Sequence, residues 1–172
     1  PDAGKTSQGV FCTAVGYDAG TTSQGEYSVA VGYLAGGSSQ GGYSTAMGYG
    51  AGASSQGSTC VAVGVSSGGT TQGSGAVAVG NAAGNNTQGV SSVAVGKYAG
   101  QTNQGDKGII INSSGVAKNN TSDGHIVIKS SLGELKFTST TGWTLDGNAI
   151  VTADVVAAST DFADFKTRVA AL

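Results

Sequence analysis

The sequence predicts an all-β fold, a β-roll wound as a narrow solenoid of 16-residue coils, and three recurring columns carry that reading. Glycine closes a Ser-Val-Ala-Val-Gly type pentad at Gly16, Gly32, Gly48, Gly64, Gly80 and Gly96. Glutamine recurs at Gln8, Gln24, Gln40, Gln56, Gln72, Gln88 and Gln104, each followed by glycine. A third column runs Gly4, Gly20, Gly36, Gly52, Gly68, Gly84 and Gly100. Three columns sharing one period without an insertion mark a repeat architecture, in which each unit buries its surface only against its neighbours.

The pentad supplies the first strand of each coil. In Ser28-Val29-Ala30-Val31-Gly32 the alternation places Val29 and Val31 on one face and Ser28 and Ala30 on the other. The valines are expected in the core and the alanines outside. Alanine holds that position in all six copies (Ala14, Ala30, Ala46, Ala62, Ala78, Ala94). A uniformly small residue on an outer face predicts another surface close by, so Ala30, Ala46, Ala62 and Ala78 are expected to pack between copies of the chain. The rest of each coil, as in Tyr33 to Gly41, holds two glycine turns and a short polar strand.

The first three copies flank the pentad with aromatics, Phe11, Tyr27 and Tyr43 before it and Tyr17, Tyr33 and Tyr49 after it. By strand parity these point with the valines, which predicts packing; an exposed ladder for sugar or surface contact is the alternative. The glutamines are expected to form a stacked amide ladder.

Residues 1–112 form the predicted roll, 113–152 a β-rich cap and 153–172 a helical segment. The pattern frays at Asp106, and thirteen of the eighteen charged residues follow position 105. Ile109–Ile111 keeps the strand slot, and His125–Ile128 echoes it. Residues 132–138 and 143–151 read as two further strands, the second containing an Asp146-Gly147 turn. After Asp161, Phe162, Phe165, Val169 and Leu172 fall on one helical face. Such a short stripe must pack on its own domain or on symmetry mates.

Composition narrows the function classes. Of 172 residues 31 are glycine and only 10% are charged, and the formal net charge is −2 with Arg168 the single arginine. That is no footprint for nucleic acid. No run of about 18 apolar residues suggests a spanning helix. The start at Pro1, inside a half-repeat, predicts a fragment or a processed chain. Cys12 and Cys60 occupy one repeat position three copies apart, roughly 14 Å if coils stack at strand spacing, which is beyond disulfide reach. They read as small fillers where Ser or Ala otherwise sits.

No catalytic, cofactor or metal site is expected. His125 is the single histidine, no Gly-x-Ser-x-Gly elbow precedes a helix, and two separated cysteines with one histidine lack metal-ligand spacing. Gly4-Lys5-Thr6 resembles the end of a phosphate loop, but its counterpart Gly20-Thr21-Thr22 shows it to be a repeat position. Thr6-Ser7, Thr21-Thr22-Ser23, Ser38-Ser39, Ser54-Ser55, Thr70-Thr71 and Asn86-Thr87 form a regular hydroxyl array that admits an ice-binding reading, although mixed Ser, Thr and Asn weaken it.

The phased pentads of residues 1–112 resemble the head repeats of trimeric autotransporter adhesins of the YadA-like type. That resemblance implies a left-handed parallel β-roll in an intertwined homotrimer. The tail, Gly142-Trp143-Thr144-Leu145-Asp146-Gly147 and then Thr160 to Leu172, resembles the C-terminal ends of bacteriophage tail-fibre and host-specificity proteins. Together the two resemblances imply a trimeric virion fibre that acts without chemistry, its partners being other virion proteins and a host-surface receptor, a polysaccharide or an outer-membrane protein. Neither nucleic acid nor membrane insertion is expected. Phe162, Phe165 and Val169 would join the alanines in trimer packing, and the irregular loops with Trp143, Asn119, Asn120 and Asp123 are the expected receptor contacts. A cellular trimeric adhesin fragment is the alternative, and a solitary ice-binding solenoid a further one.

Overall fold

The computed structural model describes residues 2–138, 142–145 and 148–151, and for Trp143 and the last of these strands the backbone alone. The helix expected over 153–172, with Phe162, Phe165 and Val169, lies outside the described residues, as does the side chain of Trp143.

Every regular element among the described residues is a strand. In chain order these are β1 (Thr13–Val15), β2 (Ser23–Gln24), β3 (Val29–Val31), β4 (Ser39–Gln40), β5 (Thr45–Met47), β6 (Ser55–Gln56), β7 (Val61–Val63), β8 (Thr71–Gln72) and β9 (Val77–Val79). There follow β10 (Asn86–Gln88), β11 (Val93–Val95), β12 (Thr102–Gln104), β13 (Ile109–Asn112), β14 (Ile126–Lys129), β15 (Glu134–Thr138), β16 (Gly142–Leu145) and β17 (Asn148–Val151). The even strands β2 to β12 stack into one six-stranded sheet. The odd strands β1 to β13, then β14 to β17, make the facing sheet of eleven. The chain is thus a β-solenoid of about seven coils with 16-residue spacing.

Stacking is parallel and in register, Val29 on Thr13 and on Thr45, Ala30 on Ala14 and on Ala46. Backbone hydrogen bonds continue the stacking through the corners, for example Gly20 N to Ala35 O at 2.9 Å and Gly25 N to Gln40 O at 2.7 Å. The glycine columns follow from the corners. A Cβ on Gly32 (φ +130°) would lie 2.5 Å from the carbonyl oxygen of Gly48 in the next coil, and one on Gly36 (φ +55°) would lie 2.7 Å from Oε1 of Gln40. Left-handed φ and missing room together exclude a side chain at both.

The two faces of the pentad are the reverse of the sequence expectation. Ala30, Ala46, Ala62, Ala78 and Ala94 are fully buried inside the roll, whereas Val29, Val31 and their equivalents face outward and are half-buried. Strand parity holds; its sign is inverted. The opposite wall explains why. Glutamines of the short sheet project into the same space, and the second alanine column (Ala19, Ala35, Ala51, Ala83, Ala99) fills what remains. In these coils a core that narrow is filled by methyl groups and one extended amide; only at β13 and β14, where the repeat changes, do the branched Ile110 and Val127 take the alanine slot, both fully buried. Ala30, Ala46, Ala62 and Ala78 therefore belong to the interior of a single chain, not to a surface between chains.

The glutamine column also differs from a simple amide ladder. Gln40 Nε2 donates to Val29 O (2.8 Å) and Ser44 O (3.3 Å), and Gln104 Nε2 to Val93 O (2.9 Å) and Gly108 O (3.0 Å). Each amide ties the short sheet to the long one across the core. Amide-to-amide bonds occur at Gln8 to Gln24 (3.2 Å) and Gln56 to Gln72 (3.1 Å).

The serine position closes the network at the other corner. Ser28 Oγ donates to Gly41 O and Ser44 Oγ to Gly57 O, both at 2.9 Å. Cys60 fills the same slot, its thiol 3.1 Å from Gly73 O, and both cysteines are free. The filler reading of Cys12 and Cys60 is what the fold shows.

Past Asn112 the coil changes. Asn112 takes the place of the closing glycine, is buried, and donates to Lys97 O (2.9 Å) and Val116 O (2.7 Å). The next coil is one residue longer, pairing Ile109 with Ile126. From β14 onward the long sheet continues with antiparallel strands, β15 on β14, β16 on β15 and β17 on β16.

Candidate functional site

With the middle residue inside, each three-residue strand of the long sheet, and β13 and β14 after them, presents two side chains outward, and the register aligns them into columns. One column reads Val15, Val31, Met47, Val63, Val79, Val95, Ile111 and Ile128. Leu135 and Leu145 of the antiparallel strands extend it. The second column reads Thr13, Val29, Thr45, Val61, Val77, Val93, Ile109 and Ile126, and Phe137 extends it.

None of these outward side chains is fully buried. Val15 is 56% exposed, Met47 43% and Leu145 52%. Ten strands at about 4.8 Å and three residues of width make an apolar face roughly 45 Å by 10 Å. The face is one contiguous apolar strip rather than singly scattered apolar residues. At its C-terminal end Ile128, Leu132, Leu135 and Leu145 line an open groove, with Leu132 almost fully exposed.

The aromatics follow the valines, as parity predicts, and are likewise outside. Phe11, Tyr27 and Tyr43 stack in one ladder at centroid spacings of 5.1 Å. Tyr17, Tyr33 and Tyr49 stack in the other at 5.3 and 5.0 Å. All six are exposed, so they do not pack into the roll as expected. Rings stacked along the coil axis hide their faces in one another and present edges outward. Phe11, Tyr27 and Tyr43 also hold left-handed φ of 55° to 58°, which places the ladder on a corner.

The opposite sheet carries a different surface. Ser23, Ser39, Ser55, Thr71 and Thr87 are exposed beside the buried glutamines, and Thr22, Ser38, Ser54, Thr70 and Asn86 are exposed next to them. The hydroxyl array foreseen from the sequence is therefore a solvent-facing surface.

The expected receptor loops prove to be built into the coil. Asn119 Oδ1 accepts the backbone N–H of Thr102 (2.9 Å), and Asp123 Oδ1 that of Asp106 (2.8 Å). Asn120 continues the glutamine column, receiving Gly105 N on its carbonyl oxygen at 2.9 Å as Gln104 receives Gly89 N. Asn120 is buried, so it is corrected from a contact residue to a core residue. The sequence signal was present, since Asn120 falls on the glutamine period.

His125 is half-buried, and its carbonyl accepts from Ile109 N (2.8 Å). Among the described residues no cluster of His, Cys, Asp and Glu could hold a metal ion. Burial pushes the Cys60 thiol above its ordinary pKa, opposite to what a reactive thiolate needs. Comparison with protein-family models, with curated proteins and with solved structures returns no match.

Proposed function

We propose that this chain is a structural component of a bacteriophage fibre, a rigid β-roll that associates as a parallel homotrimer and contributes to host-surface attachment. The observation that supports this reading is the apolar face running along ten strands of the long sheet, from Val15 to Leu145. A face that long on a chain with a thin alanine core is stabilised by a second and third copy laid alongside it, about an axis parallel to the roll. The sequence resemblances supply the number three and the viral setting. In this reading the valine and isoleucine columns, not the alanines, are the packing surface. Backbone stacking through every coil supplies the stiffness a fibre needs.

Light scattering on the full chain tests it. The expected mass is three times 16.6 kDa, and a monodisperse monomer overturns both this reading and that of a cellular trimeric adhesin. The exposed Ser/Thr columns on the opposite sheet favour a second reading, ordering of water at an ice surface. Thermal hysteresis in a freezing solution would establish that reading, and its absence would remove it.

A further inference from the structure

Over its uniform coils, β7, β9 and β11, the apolar face has a defect as an interface: it is periodic. Val63 and Val79 occupy equivalent positions on successive coils, Val63 between Met47 and Val79 and Val79 between Val63 and Val95, each beside a valine of its own strand. Two chains packed through these coils keep nearly all the contacts made there when one slides along the other by a coil, about 4.8 Å. A uniform pattern specifies register weakly, as in strands whose alternatives are near-equal. Something aperiodic must select one alignment.

The aromatic ladders are such a feature. After Tyr43 the first ladder's position passes to Thr59, Gly75, Ser91 and Lys107, and after Tyr49 the second passes to Val65, Asn81 and Lys97. The rings stand on the two corners that bound the apolar face. When sheets face a common axis in parallel, one corner of each chain lies beside the opposite corner of the next. The residues there are Phe11, Tyr27 and Tyr43 of one copy and Tyr17, Tyr33 and Tyr49 of its neighbour.

We propose that the two ladders meet across the seams between copies and fix the axial register of the oligomer. This inference rests on the self-association argued above. Three rungs oppose three rungs in only one alignment. A slip of one coil leaves a ring on each side facing solvent or a small residue, and the edge-out geometry suits ring-to-ring contact between chains. Aromatic side chains, tyrosine above all, are enriched in such interfaces. The first 60 residues carry only Asp2, Lys5, Asp18 and Glu26 as charges, so no strong like-charge field opposes close approach of copies there.

The experiment co-expresses two full-length chains, one with Val63→Cys and one with Val79→Cys, in a Cys12→Ser, Cys60→Ser background. Serine already holds that slot at Ser28, Ser44 and Ser92. A short bis-maleimide links thiols that meet, and peptide mass spectrometry identifies the pairs. With the ladders intact, only like-with-like links (63 to 63, 79 to 79) are expected. The same chains carrying Phe11→Thr, Tyr27→Thr, Tyr43→Thr, Tyr17→Val, Tyr33→Val and Tyr49→Val use residues the fold accepts at Thr59 and Val65. In them, mixed 63-to-79 links are expected to rise several-fold at unchanged mass.

A like-with-like pattern retained after the six substitutions overturns the proposal and leaves the ladders free for another partner, such as a glycan. A substituted chain that becomes monomeric overturns it too, since the ladders would then supply affinity in place of register. A monomeric parent chain without links defeats the self-association reading itself.

Discussion

Gln40 reaches from one sheet to the other and donates its amide N–H to the carbonyl oxygen of Val29, 2.8 Å away, inside a coil with no room for a branched side chain. The same bond recurs between Gln72 and Val61 (2.9 Å) and between Gln88 and Val77 (2.8 Å). It is the cross-brace of the roll, and the first prediction concerns its removal.

Gln72 also donates to Ala76 O at 3.2 Å. Gln72→Ala removes both bonds and the one its Oε1 accepts from Gln56 Nε2 (3.1 Å), about 1 kcal/mol each, and leaves a cavity, so a loss of about 4 kcal/mol is expected in urea unfolding. Gln72→Glu adds a sign to the test. The new carboxyl would lie buried among carbonyl oxygens, which raises its folded pKa above the unfolded value of about 4.3. The variant is thus closest to wild type below that unfolded value and loses stability as pH rises through the raised folded pKa. A loss that instead grew on acidification would contradict the bracing geometry.

Two glycines of contrasting surroundings provide the next comparison. Gly68 holds φ +52°, and a Cβ there would meet Gln72 Oε1 at 2.6 Å, an atom that accepts from Gln56 Nε2 on an amide whose Nε2 is held by Val61 O and Ala76 O. Gly68→Ala is expected to cost about 3 kcal/mol from overlap and left-handed strain together. Gly75, at φ +71°, has its nearest atom at 3.4 Å, and its column accepts Thr59 and Ser91. Gly75→Ala is expected to cost about 1 kcal/mol or less. Thermal unfolding of both variants reads the difference.

The cysteines differ by burial alone. Cys60 is 1% exposed and its thiol is pushed up by desolvation, whereas Cys12 is partly exposed. Under native conditions a disulfide reagent is expected to titrate Cys12 quickly and Cys60 only on unfolding. Cys60→Ser keeps the hydrogen bond to Gly73 O and is expected to change stability by no more than about 0.5 kcal/mol.

Charge placed on the apolar face separates association from folding. Val79→Asp puts a carboxylate on an outward side chain, so the coil is expected to keep its far-ultraviolet circular dichroism. Buried between copies the same charge is costly. Sedimentation is expected to show the mass falling to that of one chain, while Thr70→Asp on the opposite sheet leaves it unchanged.

Much of this architecture was legible in advance. The period of Gly16 to Gly96, the corner at Gly36 and the strand at Val29–Val31 all stand in the fold as read. Each is local or repeats from coil to coil, and stacked backbone hydrogen bonds keep equivalent residues in register. Asn120 was legible too, had its place on the glutamine period been followed past Gln104. The capping of Thr102 N by Asn119 and of Asp106 N by Asp123 was not, because those partners belong to different coils and meet only after stacking.

The sequence by itself determined the coil length, the stacking order and the fact that Val29 and Val31 lie opposite Ala30. It did not determine which of those faces is inside. Alternation is symmetric between the two sides of a strand, and hydrophobicity alone favours burying valine. Only the separation of the two sheets breaks the symmetry: with Gln40 spanning the gap to Val29 O, the interior holds alanine, and the valines are left to make the outer surface.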